Sequence, residues 1–348
     1  MKSLYCTADR IGTETGGGIV TRNELEALRS ISEEVMVISA DDIDPAKFYQ
    51  PASPFLEDYF ALEQIKEKHF DLAHFYGGCF GHTIKWLKVK GTKVSYTVAA
   101  HDRKVSIEEF ARLGILYPFP NISDDALFNI YTEGIRLADV VIFPSKKSAE
   151  AKSDIGCENV VVIAHGVNLP KKVKPIPRRF DVAYLGQCGP DKGLIYLIQA
   201  WGMLNYPEAR LILAGAGTET LEPFIRQFTN KGIFVLLGRV PDVATVYNAC
   251  SVYVQPSVTE GFGIEILEAM SYGRPVIASE GAGAAELVED SIGFTAPIRN
   301  EKALAERIEW FKSNQDKIPE MGQNARKKAR NYTWSRIRGK YAELFSSL

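Results

Sequence analysis

Two glutamates eight residues apart carry the clearest chemistry in this sequence. Glu260 stands in a glycine-flanked turn after an apolar strand, and Glu268 stands in the helix that we expect to follow. The amides of Phe262, Gly263 and Ile264 would begin that helix, where unpaired N–H groups and the helix dipole favour an anion. A carboxylate beside such a helix start indicates a ligand that has both hydroxyls and phosphates.

Three other glycine-containing turns follow predicted strands, and each could bring its backbone close to a phosphate. The first contains Gly16 and Gly17, the second runs from Gly186 to Lys192, and the third contains Gly215. None of them completes the G-x-G-x-x-G pattern of dinucleotide sites or the Lys-Ser/Thr pair of a P-loop. Lys192 could place a compact positive charge on a diphosphate. Plain turns remain the alternative interpretation.

Other polar residues at strand ends are weaker candidates. His101 follows a predicted strand and could bond a sugar hydroxyl or a phosphate, although a lone histidine is more often structural. Arg239 and Val240 follow a further strand, where the backbone could meet a nucleobase or form a plain turn. Asp42-Ile43-Asp44 matches the D-x-D pattern that can hold a metal and a nucleotide, but three residues in an acidic loop are a weak match.

The composition is that of an ordinary globular protein and gives no indication of nucleic-acid binding or of a metal site. The chain has 348 residues, of which 46% are hydrophobic and 24% are charged. A formal net charge of −2 gives no basis for nucleic-acid binding. The histidines and cysteines show no metal-ligand spacing, so we expect no metal site.

The location in the cell follows from the cysteines and from the hydrophobic runs. The five cysteines form no C-x-x-C pair, and their odd number fits reduced thiols in the cytoplasm. No run approaches the ~18 apolar residues of a membrane-spanning helix. We therefore expect a cytoplasmic protein, and peripheral contact with the inner membrane surface stays open.

Strands and helices alternate in two series, which predicts an α/β fold with two Rossmann-like, doubly wound domains facing a central cleft. The first series runs to Ile163, and the second has strands from Val182 to Ser279 and then turns helical to the chain end. Ligands bind such sheets at the carboxyl ends of the strands, which is where the glycine turns lie. We expect domains at 1–168 and 181–331. The proline-rich, basic segment 169–180 is an extended linker, more plausibly a solvated hinge than a patch for phospholipid head groups.

Four features taken together resemble the retaining GT-B glycosyltransferases of the GT4 type, also called glycosyl transferases group 1. They span nearly the whole chain in the order of that family, and the last two are the specific ones. The features are Gly16-Gly17 after the first strand, Gly186 through Lys192-Gly193, the E-x7-E segment from Glu260 to Glu268, and Arg274-Pro275-Val276-Ile277-Ala278.

The resemblance implies an enzyme that transfers a sugar from a nucleotide-sugar donor to a hydroxyl acceptor with retention at the anomeric carbon. The donor, a UDP- or GDP-sugar, would be held mainly by the second domain, without a cofactor or a metal. The acceptor, a glycan, a lipid or a small molecule, would bind the first domain. The last helix, 332–348, would pack back on the first domain.

The resemblance also implies roles for individual residues. Glu260 would bond hydroxyls of the transferred sugar, Lys192 would neutralise the leaving diphosphate, and His101 would contact the donor sugar. Glu268 would bind the ribose, and Gly17 would let its loop close over the phosphates. The whole donor-binding set is Gly16, Gly17, Gly186, Gln187, Lys192, Gly215, Arg239, Val240, Glu260, Gly261, Phe262, Gly263, Ile264 and Glu268.

One position departs from the family pattern and keeps other functions open. Gln187 stands where the family usually has an arginine, so a positive charge beside the diphosphate is lost. The alternatives are a catalytically weak nucleotide-sugar-binding protein and another GT-B enzyme, such as a sugar-nucleotide epimerase or a PLP-dependent phosphorylase. An NAD-dependent oxidoreductase would have a glycine fingerprint after its first strand, and this sequence lacks it.

Overall fold

The computed structural model describes residues 1–13, 15–42, 53–99, 103–115, 125–228 and 232–348, without the side chains of residues 53–55, 103, 125–128 and 232. These residues form two compact units. The described parts of 1–99, 125–165 and 334–348 make up the first unit, and 103–115 with 166–333 make up the second. Each unit contains one six-stranded sheet in which every described strand pair is parallel, which confirms the predicted two-domain α/β fold.

The sheet of the first unit has the strand order β2-β1-β3-β4-β5-β6. Its central strands are buried on both faces, as their nearly continuous apolar sequences predict for a parallel sheet. The strands are β1 (Lys2–Thr7), β2 (Glu34–Ile38), β3 (Leu72–Tyr76), β4 (Lys93–Thr97), β5 (Val140–Phe143) and β6 (Val160–Val162).

The sheet of the second unit has the order β12-β11-β10-β7-β8-β9. The strands are β7 (Asp181–Leu185), β8 (Tyr206–Ala214), β9 (Gly232–Gly238), β10 (Val252–Gln255), β11 (Val276–Ser279) and β12 (Gly293–Ala296). The expectation that the chain is helical after residue 294 is wrong at β12. This strand has only four residues and begins with a glycine, whose missing side chain lets it lie against the Val276 carbonyl.

Thirteen helices are described within the ranges given above, and they are numbered in chain order. They are α1 (Gly16–Arg29), α2 (Ser53–Ile65), α3 (Gly81–Val89), α4 (Arg103–Arg112), α5 (Asp125–Leu137), α6 (Lys146–Glu150), α7 (Leu194–Met203), α8 (Glu222–Ile225), α9 (Ala244–Tyr247), α10 (Ile264–Ser271), α11 (Glu301–Ser313), α12 (Ile318–Ala329) and α13 (Trp334–Ser346). Among the described residues, none of these helices is long and apolar enough to cross a membrane.

The local structure agrees with the sequence at the start of one helix and differs from it at another predicted helix. The sequence predicts helix caps at Ser123 and Ser145. Ser145 caps α6 by accepting a hydrogen bond from the Ser148 amide at 3.0 Å. The sequence pattern over 220–230 predicts a helix, whereas the described residues 218–228 form a series of short turns around α8, whose first turn contains Pro223. A proline donates no backbone hydrogen bond, so it suits a helix start better than a helix interior. The other predicted cap, Ser123, lies outside the described residues.

A row of buried polar side chains crosses the first unit. His74 Nδ1 lies 2.8 Å from Ser95 Oγ, and His74 Nε2 lies 3.2 Å from Glu24 Oε2. The side chains of His74 and Glu24 have no exposed surface, so this Ser-His-Glu row cannot meet a substrate and is structural. Phe345 of α13 packs on the His74 ring at 4.8 Å, which ties the last helix to the sheet.

Two segments that precede residue 181 in the sequence are part of the second unit. Residues 103–115, which include α4, group with the second unit. The second half of the predicted linker is fixed along the second unit. The Lys174 amide donates to Asn248 Oδ1 at 3.0 Å, and the Lys174 carbonyl accepts from Arg274 Nη2 at 2.8 Å.

Candidate functional site

The strand order of the second unit defines where a ligand can bind. The connections run in one direction from β7 to β9 and in the other direction from β10 to β12, so the order reverses between β7 and β10. Doubly wound sheets bind ligands outside the carboxyl ends of the strands at such a switch point. Lys192 follows β7 and Glu260 follows β10, so both stand at this place in the fold.

The turn that carries Lys192 is held tightly against the segment after β10. It is a single 3-10 turn, Pro190–Lys192, that ends at Gly193 with a φ of 66°. A Cβ at Gly193 would lie 2.1 Å from the Pro256 carbonyl oxygen, so only glycine fits this approach. The Asp191 carbonyl accepts hydrogen bonds from the amides of Val258 and Thr259, at 2.7 and 3.3 Å.

The side chains of Lys192 and Glu260 form an ion pair at the switch point. Lys192 Nζ contacts Glu260 Oε2 directly, and the two side chains are only 20% and 21% exposed. Asp191 Oδ2 lies 3.9 Å from the same ammonium. Burial alone would lower the pKa of Lys192, but Glu260, with smaller contributions from Asp191 and Glu265, outweighs burial and raises it, so the lysine keeps its positive charge.

Backbone hydrogen bonds fix the turn that carries Glu260. Its amide donates to the Gly281 carbonyl at 3.0 Å, and its carbonyl accepts from the Gly283 amide at 3.1 Å. The Phe262 carbonyl accepts from the Ala284 amide at 2.6 Å. A Cβ at Gly281 would lie 2.2 Å from the Ser257 carbonyl oxygen. The loop after β11 therefore fixes the position of Glu260 relative to the sheet.

Helix α10 begins beside Glu260 with the geometry that the sequence predicts for an anion site. Gly263 has a φ of 85° and precedes the first helical residue. Of the side chains that the structure describes, none caps this helix start. Helix N-terminal amides without side-chain caps attract anions. The position is adjacent to the ion pair, since the Glu260 Cγ atom would lie 3.3 Å from a Cβ at Gly263.

Helix α10 carries two further carboxylates towards the same place. Glu268 accepts a hydrogen bond from the Tyr247 hydroxyl at 2.8 Å, and burial raises its pKa. Burial, together with the negative charges of Glu260 and Glu268, raises the pKa of Glu265 to about 8. Sequence reasoning missed Glu265. A second glutamate beside Glu268 in a mostly apolar helix could have indicated a functional residue.

The ends of β7, β8 and β9 form a second group of candidate residues. The Gly215 amide donates to the Gly238 carbonyl at 2.7 Å, and a Cβ at Gly215 would lie 1.8 Å from the Gly186 carbonyl oxygen. The glycines are thus required for three strand ends to meet. Gln187 and Arg239 extend from these ends with exposed side chains. Val240 follows Arg239 and is half-buried.

The glycines of the first unit differ from the prediction in their local structure. The sequence predicts a glycine turn and then a helix from Ile19, whereas α1 begins at Gly16 and contains all three glycines in its first turn. Thr15 caps this helix by accepting from the Gly18 amide at 3.1 Å. The Asp9 carboxylate packs against Gly17, where a Cβ would lie 2.4 Å from it. A negative side chain thus already stands beside this helix start.

Two predicted candidates fall wholly or partly outside the described residues. His101 is one, and the second half of Asp42-Ile43-Asp44 is the other. The Asp42 carboxylate accepts hydrogen bonds from the amide and hydroxyl of Ser39, at 2.8 and 3.1 Å, so it closes its own turn. Among the described residues, no group of three or more His, Cys, Asp or Glu side chains is arranged to hold a metal ion.

Comparisons with known proteins show similarity over the region that contains these residues. Residues 168–328 match the family described as "Glycosyl transferases group 1", a span that contains the Lys192 turn, the Glu260 turn and α10. Residues 168–328 are therefore similar to the glycosyl transferases group 1 family, and the whole chain has the two-domain α/β fold of GT-B glycosyltransferases. The resemblance of the sequence motifs to GT-B glycosyltransferases of the GT4 type is confirmed.

Curated relatives share part of their length with this chain. An N,N'-diacetylbacillosaminyl-diphospho-undecaprenol α-1,3-N-acetylgalactosaminyltransferase of Campylobacter jejuni is 24% identical over 236 residues, 62% of each chain. An O-antigen chain mannosyltransferase B of Escherichia coli is 34% identical over 156 residues, 40% of each chain. The matched regions thus span less than two thirds of these relatives.

Solved structures share the fold over the whole chain at low sequence identity. A sucrose-phosphate synthase from Thermosynechococcus elongatus has a TM-score of 0.76 at 19% identity, covering 100% of this chain and 99% of that one. HepE of Anabaena, in complex with UDP-glucose, has a TM-score of 0.71 at 23% identity, covering 100% of both chains.

Proposed function

We propose that this protein is a retaining, metal-independent glycosyltransferase that moves a sugar from a UDP- or GDP-sugar to a hydroxyl acceptor. The observation that carries this proposal is the Lys192–Glu260 ion pair beside the start of α10, at the switch point of the second sheet. A cation and helix amides suit a diphosphate, and a carboxylate suits sugar hydroxyls.

Donor binding exchanges the partners of the ion pair. The diphosphate replaces Glu260 as the partner of Lys192, and the freed Glu260 carboxylate accepts hydrogen bonds from hydroxyls of the transferred sugar. The amides at Gly263 and Ile264 bond the phosphate oxygens. Glu268 bonds the ribose hydroxyls, which compete with the Tyr247 hydroxyl for the same carboxylate. Each group is held by the fold before the donor arrives, which is the basis of electrostatic preorganisation.

The reaction breaks the bond between the anomeric carbon and the diphosphate oxygen. Positive charge develops on the sugar ring and negative charge on the leaving diphosphate, which Lys192 and the start of α10 stabilise. The acceptor hydroxyl forms the new bond on the same face of the sugar, and its proton passes to the leaving phosphate. No protein nucleophile and no metal take part in this scheme. Gly16, Gly17 and His101 keep the donor-contacting roles that the family resemblance implies.

Known proteins support the donor and acceptor classes. HepE of Anabaena is seen with UDP and with UDP-glucose, which favours a uridine nucleotide as the donor. The Campylobacter relative is named for a diphospho-undecaprenol acceptor, which favours a lipid-linked glycan. A cytoplasmic protein that works at the inner membrane surface accommodates both. In this scheme the first domain, 1–168 with helix 332–348, takes the acceptor, the linker is 169–180, and the domain 181–331 takes the donor.

Two measurements test the proposal. A thermal-shift screen with UDP, GDP and ADP identifies the nucleotide, since a ligand at a hundredfold excess over its dissociation constant stabilises by roughly 2.7 kcal/mol. Hydrolysis of the matching nucleotide sugars then reports on chemistry without knowledge of the acceptor. We expect Glu260→Ala to reduce hydrolysis at least ~100-fold. Glu222→Ala, which breaks an exposed ion pair with Arg226, is the control. A wild-type rate for Glu260→Ala would contradict the assignment.

Gln187 favours a second candidate, a nucleotide-sugar-binding protein with weak catalysis. Its exposed side chain follows Gly186 at the end of β7 and supplies no positive charge. A protein of this kind would bind a nucleotide sugar in calorimetry and would show no hydrolysis or transfer with any donor of the panel. Slow donor hydrolysis that depends on Glu260 decides for the enzyme.

A further inference from the structure

One helix of the second unit is encoded in the first half of the chain. Helix α4 buries one face, which contains Ser106 and Glu109, and Val105 on the same face packs against the core of the unit. The helix lies against the Pro190–Lys192 turn. The turn that carries Lys192 is therefore held between α4 and the segment 256–259.

Glu109 is the polar anchor of this contact. It has no exposed surface, and both of its carboxylate oxygens are bonded. Oε1 accepts from the Tyr196 hydroxyl at 2.5 Å, and Oε2 accepts from Arg299 Nε at 2.6 Å. A fully buried carboxylate requires such partners, because an unpaired charge in the interior is unstable. Glu109 thus joins α4 to α7 and to the loop before α11.

The contact continues from Glu109 to the turn of Lys192. Tyr196 lies in the first turn of α7, four residues after Lys192. Its amide donates to the Gly193 carbonyl at 3.0 Å. A shift of the Tyr196 side chain therefore moves the backbone that ends the Lys192 turn. The other side of the turn is rigid, because Gly193 lies against Pro256 without room for a Cβ.

We propose that Glu109 is a positioning residue for Lys192, acting through Tyr196 and through the packing of α4 on the turn. The inference rests on the proposed function, in which Lys192 leaves Glu260 for the diphosphate. The lysine has one anchored backbone position from which it reaches either partner. Loss of the Glu109 bonds lets the turn relax towards solvent, so the ammonium no longer lies where the diphosphate needs it.

A double-mutant cycle on UDP affinity tests this coupling, because UDP carries the diphosphate that Lys192 contacts. We expect Lys192→Ala to weaken UDP binding on the order of tenfold, and Glu109→Gln to weaken it about fivefold. The double variant should bind UDP no more weakly than Lys192→Ala alone, because Glu109 acts through the lysine. A residue that only supported the fold would weaken UDP binding in both backgrounds.

Two further variants keep the result interpretable. Tyr196→Phe retains the ring and removes only the hydroxyl that bonds Glu109, so it serves if Glu109→Gln does not fold. Glu222→Gln removes an exposed carboxylate of the same unit and should leave UDP affinity unchanged. Additive losses, or unchanged affinity in both Glu109→Gln and Tyr196→Phe, would overturn the inference while the proposed function stands. Unchanged affinity in Lys192→Ala would instead contradict the proposed function.

Discussion

The Lys192 ammonium contacts the Glu260 carboxylate, although 68 positions of sequence separate the two residues. The contact exists because β7 and β10 are neighbours at the point where the strand order reverses. It brings a cation and a carboxylate together at the carboxyl ends of two neighbouring central strands of the second sheet.

Gly193→Ala should destabilise the protein more than Gly156→Ala does. Both glycines have left-handed backbones, with φ of 66° and 75°, so alanine costs each about 1–2 kcal/mol. At Gly193 the added Cβ also meets the Pro256 carbonyl oxygen, which adds roughly 1–3 kcal/mol, whereas Gly156 faces open space. Thermal denaturation of both variants checks this. Equal melting temperatures would show that the approach to Pro256 is not tight.

Glu265→Gln should stabilise the protein more at pH 8 than at pH 5. The folded pKa of about 8 lies above the ordinary value near 4.5, so the folded state holds this proton more tightly. The unfolding free energy of the wild type therefore falls as pH rises between these two values. Glutamine, which mimics the protonated form, removes that loss. Melting temperatures from pH 5 to pH 9 provide the measurement, and a gain that is constant with pH would refute it.

The repeated α/β pattern of this chain could be predicted because the strands of a parallel sheet are buried on both faces. The run Val140–Phe143 is apolar throughout, and Val252–Gln255 is apolar up to its last residue, so both can be recognised from the sequence alone. Strand β12 was missed because four residues that include Gly293 and Thr295 carry little pattern. The helical start at Gly16 was missed because glycine by itself favours turns. In the structure the side-chain cap of Thr15 stabilises a helix that begins at Gly16.

Site residues could be predicted where one short segment contains the chemistry, as in Glu260 to Glu268. Contacts between segments that are distant in the sequence could not be predicted. Glu109 looks like an ordinary surface glutamate in the sequence, and only the fold brings Tyr196 and Arg299 to its two oxygens. The environment of Glu265 is hidden for the same reason, since its raised pKa depends on burial and on its two acidic neighbours.

Glu268→Gln should reduce the preference for ribose over deoxyribose in the nucleotide. If the carboxylate bonds the ribose hydroxyls, the wild type binds UDP about tenfold more tightly than 2′-deoxy-UDP, since a charged hydrogen bond contributes roughly 1.5–3 kcal/mol. The variant should bind the two nucleotides with affinities within about threefold. Calorimetry with both ligands is the measurement, and Glu280→Gln, an exposed change in the same unit, is the control. An unchanged ratio would remove Glu268 from the ribose.

Gln187→Arg should strengthen UDP binding about three- to tenfold at low salt. The side chain is exposed beside Gly186 at the end of β7, so an arginine there has room and adds a charged donor for the diphosphate. Screening should reduce the gain at higher ionic strength. Affinities at 50 and 200 mM salt, about twofold apart in Debye length, report both effects. No gain at either salt concentration would place this position away from the diphosphate.

Glu24→Ala should destabilise the first unit by roughly 1–3 kcal/mol, because it leaves the Tyr5 hydroxyl and His74 Nε2 without their buried hydrogen-bond partner. Arg338→Ala breaks an exposed pair between α13 and Glu26 and should cost no more than about 1 kcal/mol. Urea denaturation of the two variants tests the difference. Comparable losses would mean that the buried row contributes little to the attachment of α13.

The placement of α4 sets a limit on modular engineering of this chain. A truncated protein that keeps only the matched span, 168–328, would omit α4 and leave Tyr196 and Arg299 without the carboxylate that they share. It would also uncover the outer side of the Lys192 turn. Exchange of donor specificity with a relative therefore requires two pieces of sequence, the contiguous second half and the helix 103–112, transplanted together.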